Sequence, residues 1–185
     1  MHINGKQIQL IAEVKTHSPF GYVAKESWDE LFHLAETVGD IISIHTDPRW
    51  HGSFDLIAQA RSLTKKPILA KGIHETDDLI EKAIETGADL VLVVGRIPKV
   101  YQERCLIEPH TLEEFRMIPT HLRAVWNSRD LKTGGLKKET FADARAAFSG
   151  WLCQASNIKT IADVHETVQA VLVGTHLREF AQSMK

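Results

Sequence analysis

Charged and polar side chains stand at the ends of several apolar segments of this sequence. Glu13 and Lys15 close the first segment, Lys71 closes the third, Glu108 the fifth and Asn127 the sixth. A lysine or glutamate in an apolar segment is costly unless it is paired or functional. Desolvation shifts the pKa of both groups toward values that suit proton transfer, whereas a neighbouring opposite charge works against this shift. These residues predict acid–base chemistry, with a purely structural ion-pair cluster as the alternative.

The segments that carry these residues have the character of strands buried on both faces. Each is a short, continuous run of β-branched and other apolar residues with little alternation, as in parallel strands covered on both sides. The eight predicted strands are residues 7–15, 40–46, 67–72, 89–95, 104–108, 122–127, 150–155 and 169–174.

Amphipathic helical patterns separate several of the strands. Ser27 and Thr111 each begin a capping-box pattern, Ser53 is a suitable N-cap, and Gly87 suits the residue after a helix end. The predicted helices begin at residues 27 and 111 and also cover 54–63, 76–86, 139–148 and 176–184.

Strands that alternate with helices imply parallel pairing through right-handed crossovers. Eight of them predict an α/β protein with a closed (β/α)8 TIM barrel as one domain over residues 1–185. Only residues 96–103 separate the fourth and fifth strands. We therefore expect a compact barrel with reduced helices around strands 4–6 and no N-terminal extension before the first strand. The uncovered apolar wall predicts a homodimer.

In such barrels, the active site lies at the carboxyl ends of the strands, and phosphate often binds after strands seven and eight. Ser156 follows the seventh strand, and Gly174 and Thr175 follow the eighth, directly before a helix. A hydroxyl, a glycine that permits close approach and a helix N-terminus suit a phosphate. These residues predict a phosphate site.

Composition narrows the classes of partner. The chain carries 22 Lys and Arg against 24 Asp and Glu, a near-balance that argues against nucleic-acid binding. No apolar run approaches the roughly 20 residues of a membrane span, and the N-terminus lacks a signal-peptide pattern. Cys105 and Cys153 lie in apolar segments, which predicts buried thiols rather than a disulfide framework. We expect a cytoplasmic protein without membrane or nucleic-acid partners.

Seven segments resemble the indole-3-glycerol phosphate synthase family and occur in the family's order. The most specific are AEVKTHSP at residues 12–19 and NSRDLKT at residues 127–133; the others include PILAKGI, LIEPH and AVLVGTHL. This family closes the indole ring of tryptophan biosynthesis, with loss of CO₂ and water from 1-(2-carboxyphenylamino)-1-deoxyribulose 5-phosphate. The resemblance therefore implies a carboxy-lyase that acts on a phosphorylated small molecule without a cofactor or a metal.

The resemblance also implies roles for the matched residues. Lys71 is implied to be the general acid that protonates the substrate carbonyl, and Glu108 to handle the proton of the dehydration. Lys15 is implied to meet an anionic group of the substrate, while Glu13 and Asn127 position the reacting centre. The remaining matched residues are implied to bind the substrate or its phosphate: Ser18, Arg129, Ser156, Gly174 and Thr175.

Several departures from the family concern the substrate pocket. The family's seventh-strand glutamate is Ala155 here, and the glycine after the following serine is Asn157. Gly72 and Ile73 replace an aspartate and a phenylalanine, and His51 replaces the phenylalanine of the second-strand loop. These changes remove an acid and much of the aromatic wall, so fold and phosphate binding are implied more firmly than the substrate.

Other functions stay open at this point. One is a divergent barrel that acts on another phosphorylated compound, and another is a non-catalytic relative. A metal-dependent hydrolase is a further alternative, although the sequence has neither HxH on a strand nor HExxH. That alternative rests on histidines at or just after predicted strand ends: His17, His45, His74, His110 and His176. Trp50, in the loop after the second strand, is a candidate for stacking on a ligand ring.

Overall fold

Eight parallel strands close into a barrel in the computed structural model, which describes residues 1–3 and 5–185. The strands are β1 (Gln9–Val14), β2 (Ile41–His45), β3 (Ile68–Lys71), β4 (Leu90–Val94), β5 (Cys105–Glu108), β6 (Arg123–Asn127), β7 (Leu152–Ala155) and β8 (Ala170–Val173). Each strand pairs with the next, and β8 returns to pair with β1. The predicted (β/α)8 barrel is confirmed.

A short antiparallel hairpin precedes the barrel. His2–Ile3 pairs with Lys6–Gln7. The sequence predicts a strand from residue 7, but Gln7 belongs to this hairpin and β1 begins two residues later. The backbone N–H of Ile8, between the two elements, donates to the carbonyl of Met1 at 2.8 Å and ties the hairpin to the first barrel strand.

Six α-helices accompany the strands within the described residues. They are α1 (Trp28–Val38), α2 (Phe54–Leu63), α3 (Asp77–Glu85), α4 (Leu112–Arg116), α5 (Phe141–Ala147) and α6 (Leu177–Ser183). Between β4 and β5 the chain forms only the 3₁₀ turn Gln102–Arg104, so the predicted reduction around strands 4–6 is confirmed. A 3₁₀ turn, Ile161–Asp163, also replaces a helix after β7. Within the described residues, no helix has the length and apolar character needed to cross a membrane.

The helix starts follow the predicted caps with one difference. Ser27 forms a complete capping box with Glu30 at the start of α1. Thr111 caps α4 by accepting from the backbone N–H of Glu114 at 3.2 Å, but the Glu114 carboxylate accepts from the backbone N–H of His110. The second predicted capping box is therefore incomplete, because Glu114 accepts from the backbone N–H of the residue before the N-cap and not from that of Thr111.

The apolar residues form two separate clusters, because successive strand residues point to opposite faces. One cluster lies between the strands and the helices and includes Ile57, Phe115 and Phe180. The other fills the barrel interior and includes Ile11, Leu69, Leu106, Val125 and Cys153. Both cysteines are free and buried, as predicted.

The same alternation places the polar residues at the candidate site. Two positions beyond an interior residue, toward the carboxyl end of the strand, the side chain again faces inward. Beyond Ile11, Leu69, Leu106 and Val125 these positions hold acids, a base and an amide: Glu13, Lys71, Glu108 and Asn127. The apolar interior is therefore the floor on which the candidate site is built.

Candidate active site

Two adjoining cavities open at the carboxyl ends of the strands. The first has a volume of about 450 Å³ and the second about 410 Å³, both including the open mouth. Four residues line both cavities and join them into one continuous site: Lys15, Lys71, Arg129 and Ser156.

The first cavity, here called the apolar cavity, has a largely hydrophobic wall. Trp50 and Phe20 pack edge to face, with ring centroids 6.2 Å apart. The wall also contains Ile73, Leu92, Val94 and Leu131. The sequence predicts the loss of much aromatic wall, and these side chains supply an apolar wall in its place. Trp50 lines the cavity, but His45 is stacked on its ring, with the two ring planes 4° apart.

The second cavity, here called the cationic cavity, collects positive charge. Lys15, Lys71 and Arg129 line it together with Ser156, Gly174 and Thr175, three residues predicted to bind phosphate. Glu13 is the single carboxylate among its described lining residues. Three cations against one carboxylate favour an anion with more than one negative charge.

The loop after β7 has an unusual backbone. Ser156 and Asn157 have φ values of 67° and 56°, in the left-handed region that costs energy for residues other than glycine. Asn157 stands where the resembling family has glycine, and asparagine tolerates this conformation better than most residues. Its side-chain amide donates to the Ser128 hydroxyl at 2.8 Å, which holds the loop against the one after β6.

Glu13 is the centre of the site's hydrogen bonding. Its Oε1 accepts from Lys71 Nζ at 3.0 Å and from His45 Nε2 at 2.8 Å, and the side chain is 3% exposed. Burial would raise the pKa of Glu13, but Lys71, Lys15 and His45 outweigh burial and hold the pKa well below its ordinary value. Gly174 leaves room for the carboxylate, since a Cβ there would lie 2.1 Å from Glu13 Oε2.

Lys15, one residue beyond β1, is largely buried beside this carboxylate. Desolvation lowers the pKa of Lys15, although Glu13 acts in the opposite direction, and Lys71 and Arg129 lower it further. A lysine with a lowered pKa exchanges protons more readily near neutral pH.

Glu108 occupies a different environment on the other side of Lys71. Its Oε1 accepts from Asn127 Nδ2 at 2.8 Å, and the side chain is buried. Burial raises the pKa of Glu108, while Lys71 and Asn127 act against this shift. The site therefore holds one carboxyl group with a pKa well below its ordinary value, Glu13, and one with a raised pKa, Glu108.

Lys71 and Glu108 are each held by a separate partner. Lys71 pairs with Glu13, and within the described residues no hydrogen bond or ion pair joins Lys71 directly to Glu108. Both side chains nevertheless line the apolar cavity. The Lys71 ammonium and the Glu108 carboxyl group thus face the same cavity, held by Glu13 and Asn127 respectively.

Two predicted binding residues shape the loops over the site. Ser18 lies outside the lining of both cavities; its hydroxyl accepts from the backbone N–H of Phe20 at 3.3 Å in a tight turn. Arg129 lines both cavities, donates to the carbonyl of Gly134 at 2.9 Å and lies 5.8 Å from the centroid of the Phe20 ring. A direct contact between Ser18 and a ligand stays a prediction.

Sequence reasoning missed three residues of this site. His45 is among the strand-end histidines of the hydrolase alternative, whereas the inward alternation along β2 points it at Glu13. Phe20 and Lys137 lie in loops, where periodicity gives no signal. Lys137 Nζ lies 4.3 Å from the centroid of the Trp126 ring, and its charge opposes the rise in the pKa of Glu108.

The histidines at strand ends are dispersed over separate local contacts. His74 Nδ1 lies 2.6 Å from the carbonyl oxygen of Leu92, and His17 stacks on His51 with centroids 3.9 Å apart. His176 lies 3.1 Å from Glu179. In the part of the chain that the structure describes, no three His, Cys, Asp or Glu side chains are grouped as a metal site would require. Their arrangement gives the hydrolase alternative no support.

Comparison with known sequences identifies the family of this chain. A profile of indole-3-glycerol phosphate synthase matches residues 2–184. The chain belongs to this family. The indole-3-glycerol phosphate synthase of Dehalococcoides mccartyi is 29% identical over 205 aligned residues, covering 96% of this chain and 79% of the relative.

Two further members of the family match a smaller part of the chain. The enzyme of the same name from Picrophilus torridus is 29% identical over 153 residues, or 74% of this chain. That from Pyrococcus abyssi is 33% identical over 139 residues, or 66% of this chain. The match spans 61% of the length of each of these two relatives.

Solved structures share the fold at lower sequence identity. 3-Hexulose-6-phosphate synthase superposes with a TM-score of 0.67 at 16% identity, covering 95% of this chain and 99% of that one. KGPDC from Streptococcus mutans superposes with a TM-score of 0.65 at 13% identity, covering 96% and 94%. These likenesses show the barrel fold alone.

The structure shows where Ala155, which replaces a glutamate of the family, lies in the barrel. Ala155 ends β7 at an inward position two residues beyond Cys153 and belongs to the interior apolar cluster. A glutamate here would add a third carboxyl group at the carboxyl end of the interior, close to the loop that begins at Ser156. With alanine, Glu13 and Glu108 are the buried acids of the described barrel interior.

Proposed function

We propose that this protein is a carbon–carbon lyase that converts 1-(2-carboxyphenylamino)-1-deoxyribulose 5-phosphate into indole-3-glycerol phosphate, CO₂ and water. Family membership supports a reaction of this type. The observation that carries the proposal is the continuity of the two cavities. An apolar cavity that suits an aryl ring adjoins a cationic cavity that suits a phosphate, and Lys71 stands between them.

The proposed binding mode follows from the charges. The phosphate dianion is expected in the cationic cavity near Ser156, Gly174 and Thr175, where Lys15 and Arg129 offset its charge. The aryl ring is expected against Phe20 and Trp50 in the apolar cavity. The carbonyl of the connecting sugar chain then lies near Lys71.

In the ring closure, Lys71 is proposed to protonate the carbonyl oxygen while the carboxylated ring carbon attacks the carbonyl carbon. One C–C bond forms, and the departure of CO₂ leaves its electron pair in the ring and restores aromaticity. The new hydroxyl group then leaves as water and the adjacent methylene group loses a proton, which forms the indole double bond. The ion pair with Glu13 holds the Lys71 ammonium in place for the first step.

Glu108 is proposed to exchange the protons of the dehydration. Its raised pKa brings it closer to neutral pH, where a carboxyl group both donates and accepts protons readily. Asn127 holds its Oε1 at 2.8 Å and so fixes the direction of the carboxyl group. Glu13 and Glu108 thus have different tasks because their surroundings shift their pKa values in opposite directions.

The test is direct. Purified protein incubated with the carboxyphenylamino substrate should produce indole fluorescence, and Lys71→Met should lower kcat at least about 100-fold by removing the acid. Lys65→Met, at an exposed position outside both cavities, is the matched control and should retain activity. A folded wild-type protein that gives no product at high enzyme concentration would contradict the proposal.

Ala155, Gly72 and Ile73 favour a second candidate function, in which the same site acts on another phosphorylated small molecule. Thermal-shift measurements separate the two, because a ligand at concentration [L] stabilises the protein by RT ln(1 + [L]/Kd). A large shift with other sugar phosphates and none with the carboxyphenylamino compound would support this candidate. Binding of that compound without turnover would instead identify a non-catalytic relative.

A further inference from the structure

His45 is a buried histidine inside the site for which the proposed reaction has no role so far. It is the last residue of β2 and is 6% exposed. Its Nε2 lies 2.8 Å from Oε1 of Glu13, the same oxygen that accepts from Lys71. In the barrel register His45 stands opposite Lys71, so the imidazole and the ammonium approach the carboxylate from neighbouring strands.

The contacts of His45 determine which ring nitrogen carries the proton. An ionised carboxylate only accepts hydrogen bonds, so the Nε2 that faces Glu13 must carry a proton. Within the described residues, the buried Nδ1 has no hydrogen-bond partner. A buried N–H without an acceptor is rarer and costlier than an unused lone pair. The geometry therefore indicates a neutral imidazole that is protonated at Nε2.

The surroundings hold the ring in this orientation. Trp50 stacks on the imidazole with ring centroids 5.4 Å apart and planes 4° apart. Gly52 packs against the backbone of His45, where a Cβ would lie 2.5 Å from the His45 carbonyl. Burial lowers the pKa of His45, although Glu13 acts in the opposite direction. The lowered pKa favours the neutral form of the imidazole further.

We propose that His45 is a positioning residue for the reaction, which as a neutral donor orients the Glu13 carboxylate and through it the Lys71 ammonium. This inference builds on the proposed function. Lys71 and His45 donate to the same oxygen of Glu13. The carboxylate is therefore held by His45 as well as by the lysine that it positions. A neutral anchor adds direction without adding charge to the cationic cavity.

Two nearly isosteric variants test this role. His45→Gln keeps an amide N–H able to reach Glu13, whereas His45→Met has similar length and no donor. Because His45→Met loses the hydrogen bond to the charged Glu13, kcat should fall about tenfold or more with little change in KM. His45→Gln should recover most of that loss. Equal kcat values for the two variants would overturn the proposal.

The pH profile separates positioning from a loss of folded protein. The charged groups that face Glu13 are Lys15 and Lys71, and His45 adds the neutral donor. Loss of this donor raises the pKa of Glu13, so the acid limb of the kcat/KM profile should move to higher pH in His45→Met and return in His45→Gln. A smaller folded fraction would lower the whole profile without moving the limb, and an unmoved limb contradicts the proposal.

NMR of the free protein tests the inference independently of turnover. In wild-type protein, long-range ¹H–¹⁵N spectra at neutral pH should show the His45 proton on Nε2 and a bare Nδ1. The carboxyl ¹³C titration of Glu13 should shift upward in His45→Met and less in His45→Gln. A doubly protonated His45 at neutral pH would overturn the proposal. An inactive wild-type protein with the expected spectra would refute the lyase function and leave His45 as the anchor of Glu13.

Discussion

Replacing Gly174 by alanine tests whether the placement of Glu13 controls the site. An alanine Cβ would lie 2.1 Å from Oε2 and 2.7 Å from Cδ of Glu13, whereas real Cβ atoms essentially never approach a heavy atom closer than 3.0 Å. The carboxylate must therefore move by about 1 Å, the difference between 3.0 and 2.1 Å. Such a movement breaks or lengthens the bonds to His45 at 2.8 Å and to Lys71 at 3.0 Å.

The expected effect is large for activity and small for folding. A 1 Å misplacement of a reacting group can cost about 100-fold in rate, so kcat of Gly174→Ala in the indole fluorescence assay should fall by about that factor. The backbone should tolerate alanine, because φ of Gly174 lies outside the left-handed region. Circular dichroism should therefore show a folded protein. Wild-type kcat in Gly174→Ala would refute the reasoning.

Two controls identify the cause of the loss. Gly135→Ala is matched, since Gly135 also lies outside the left-handed region and the nearest atom to its added Cβ is Thr133 Oγ1 at 3.5 Å; its kcat should not change. In the double variant Glu13→Ala/Gly174→Ala, the shortened side chain leaves room for the new methyl group. This variant should be no slower than Glu13→Ala alone, whereas a full additional loss would show that alanine at 174 acts elsewhere.

Two further predictions concern charge. Burial raises the pKa of Glu108, so the folded state retains a proton that the unfolded state releases, and stability falls as pH rises from the ordinary pKa to the folded one, by about 1.4 kcal/mol per pKa unit. Glu108→Gln should therefore raise Tm at neutral pH and lose this advantage near pH 4, and an equal gain at every pH would contradict this origin. Arg129→Met should weaken inorganic phosphate binding about tenfold in thermal-shift titrations, whereas Arg178→Met, at an exposed ion pair with Glu26, should not.

The fold and the composition of the site could be predicted because both follow from local patterns. Continuous apolar runs indicate strands buried on both faces. Because alternate residues of a strand face the interior, the polar residue at the carboxyl end of these strands faces the interior too. Glu13, Lys71, Glu108 and Asn127 therefore lie together as expected. Likewise, residues 96–103 are too few for a full helix, and the connection forms only a loop and the 3₁₀ turn Gln102–Arg104.

The partners of those residues could not be predicted in the same way. Strand β3 lies two strands from β1 and two from β5, so strand order alone does not decide whether Lys71 pairs with Glu13 or Glu108. The choice depends on the surroundings of each acid, with Lys15 and His45 beside Glu13 and Asn127 beside Glu108, and these contacts form only in three dimensions. The cytoplasmic location and the homodimer likewise stay predictions.

The pairing of Val173 with Ala12 joins the final strand to the initial one directly beneath the site. Gly174 borders Glu13 across this seam, although the two residues are far apart along the chain. Barrel closure and completion of the charged cluster are consequently one event. A chain whose last strand has not yet docked, during synthesis or in a partial opening, has its acids and lysines but no enclosed place for the carboxylate of residue 13. Catalytic competence should therefore disappear as soon as this seam opens, before the other strands separate.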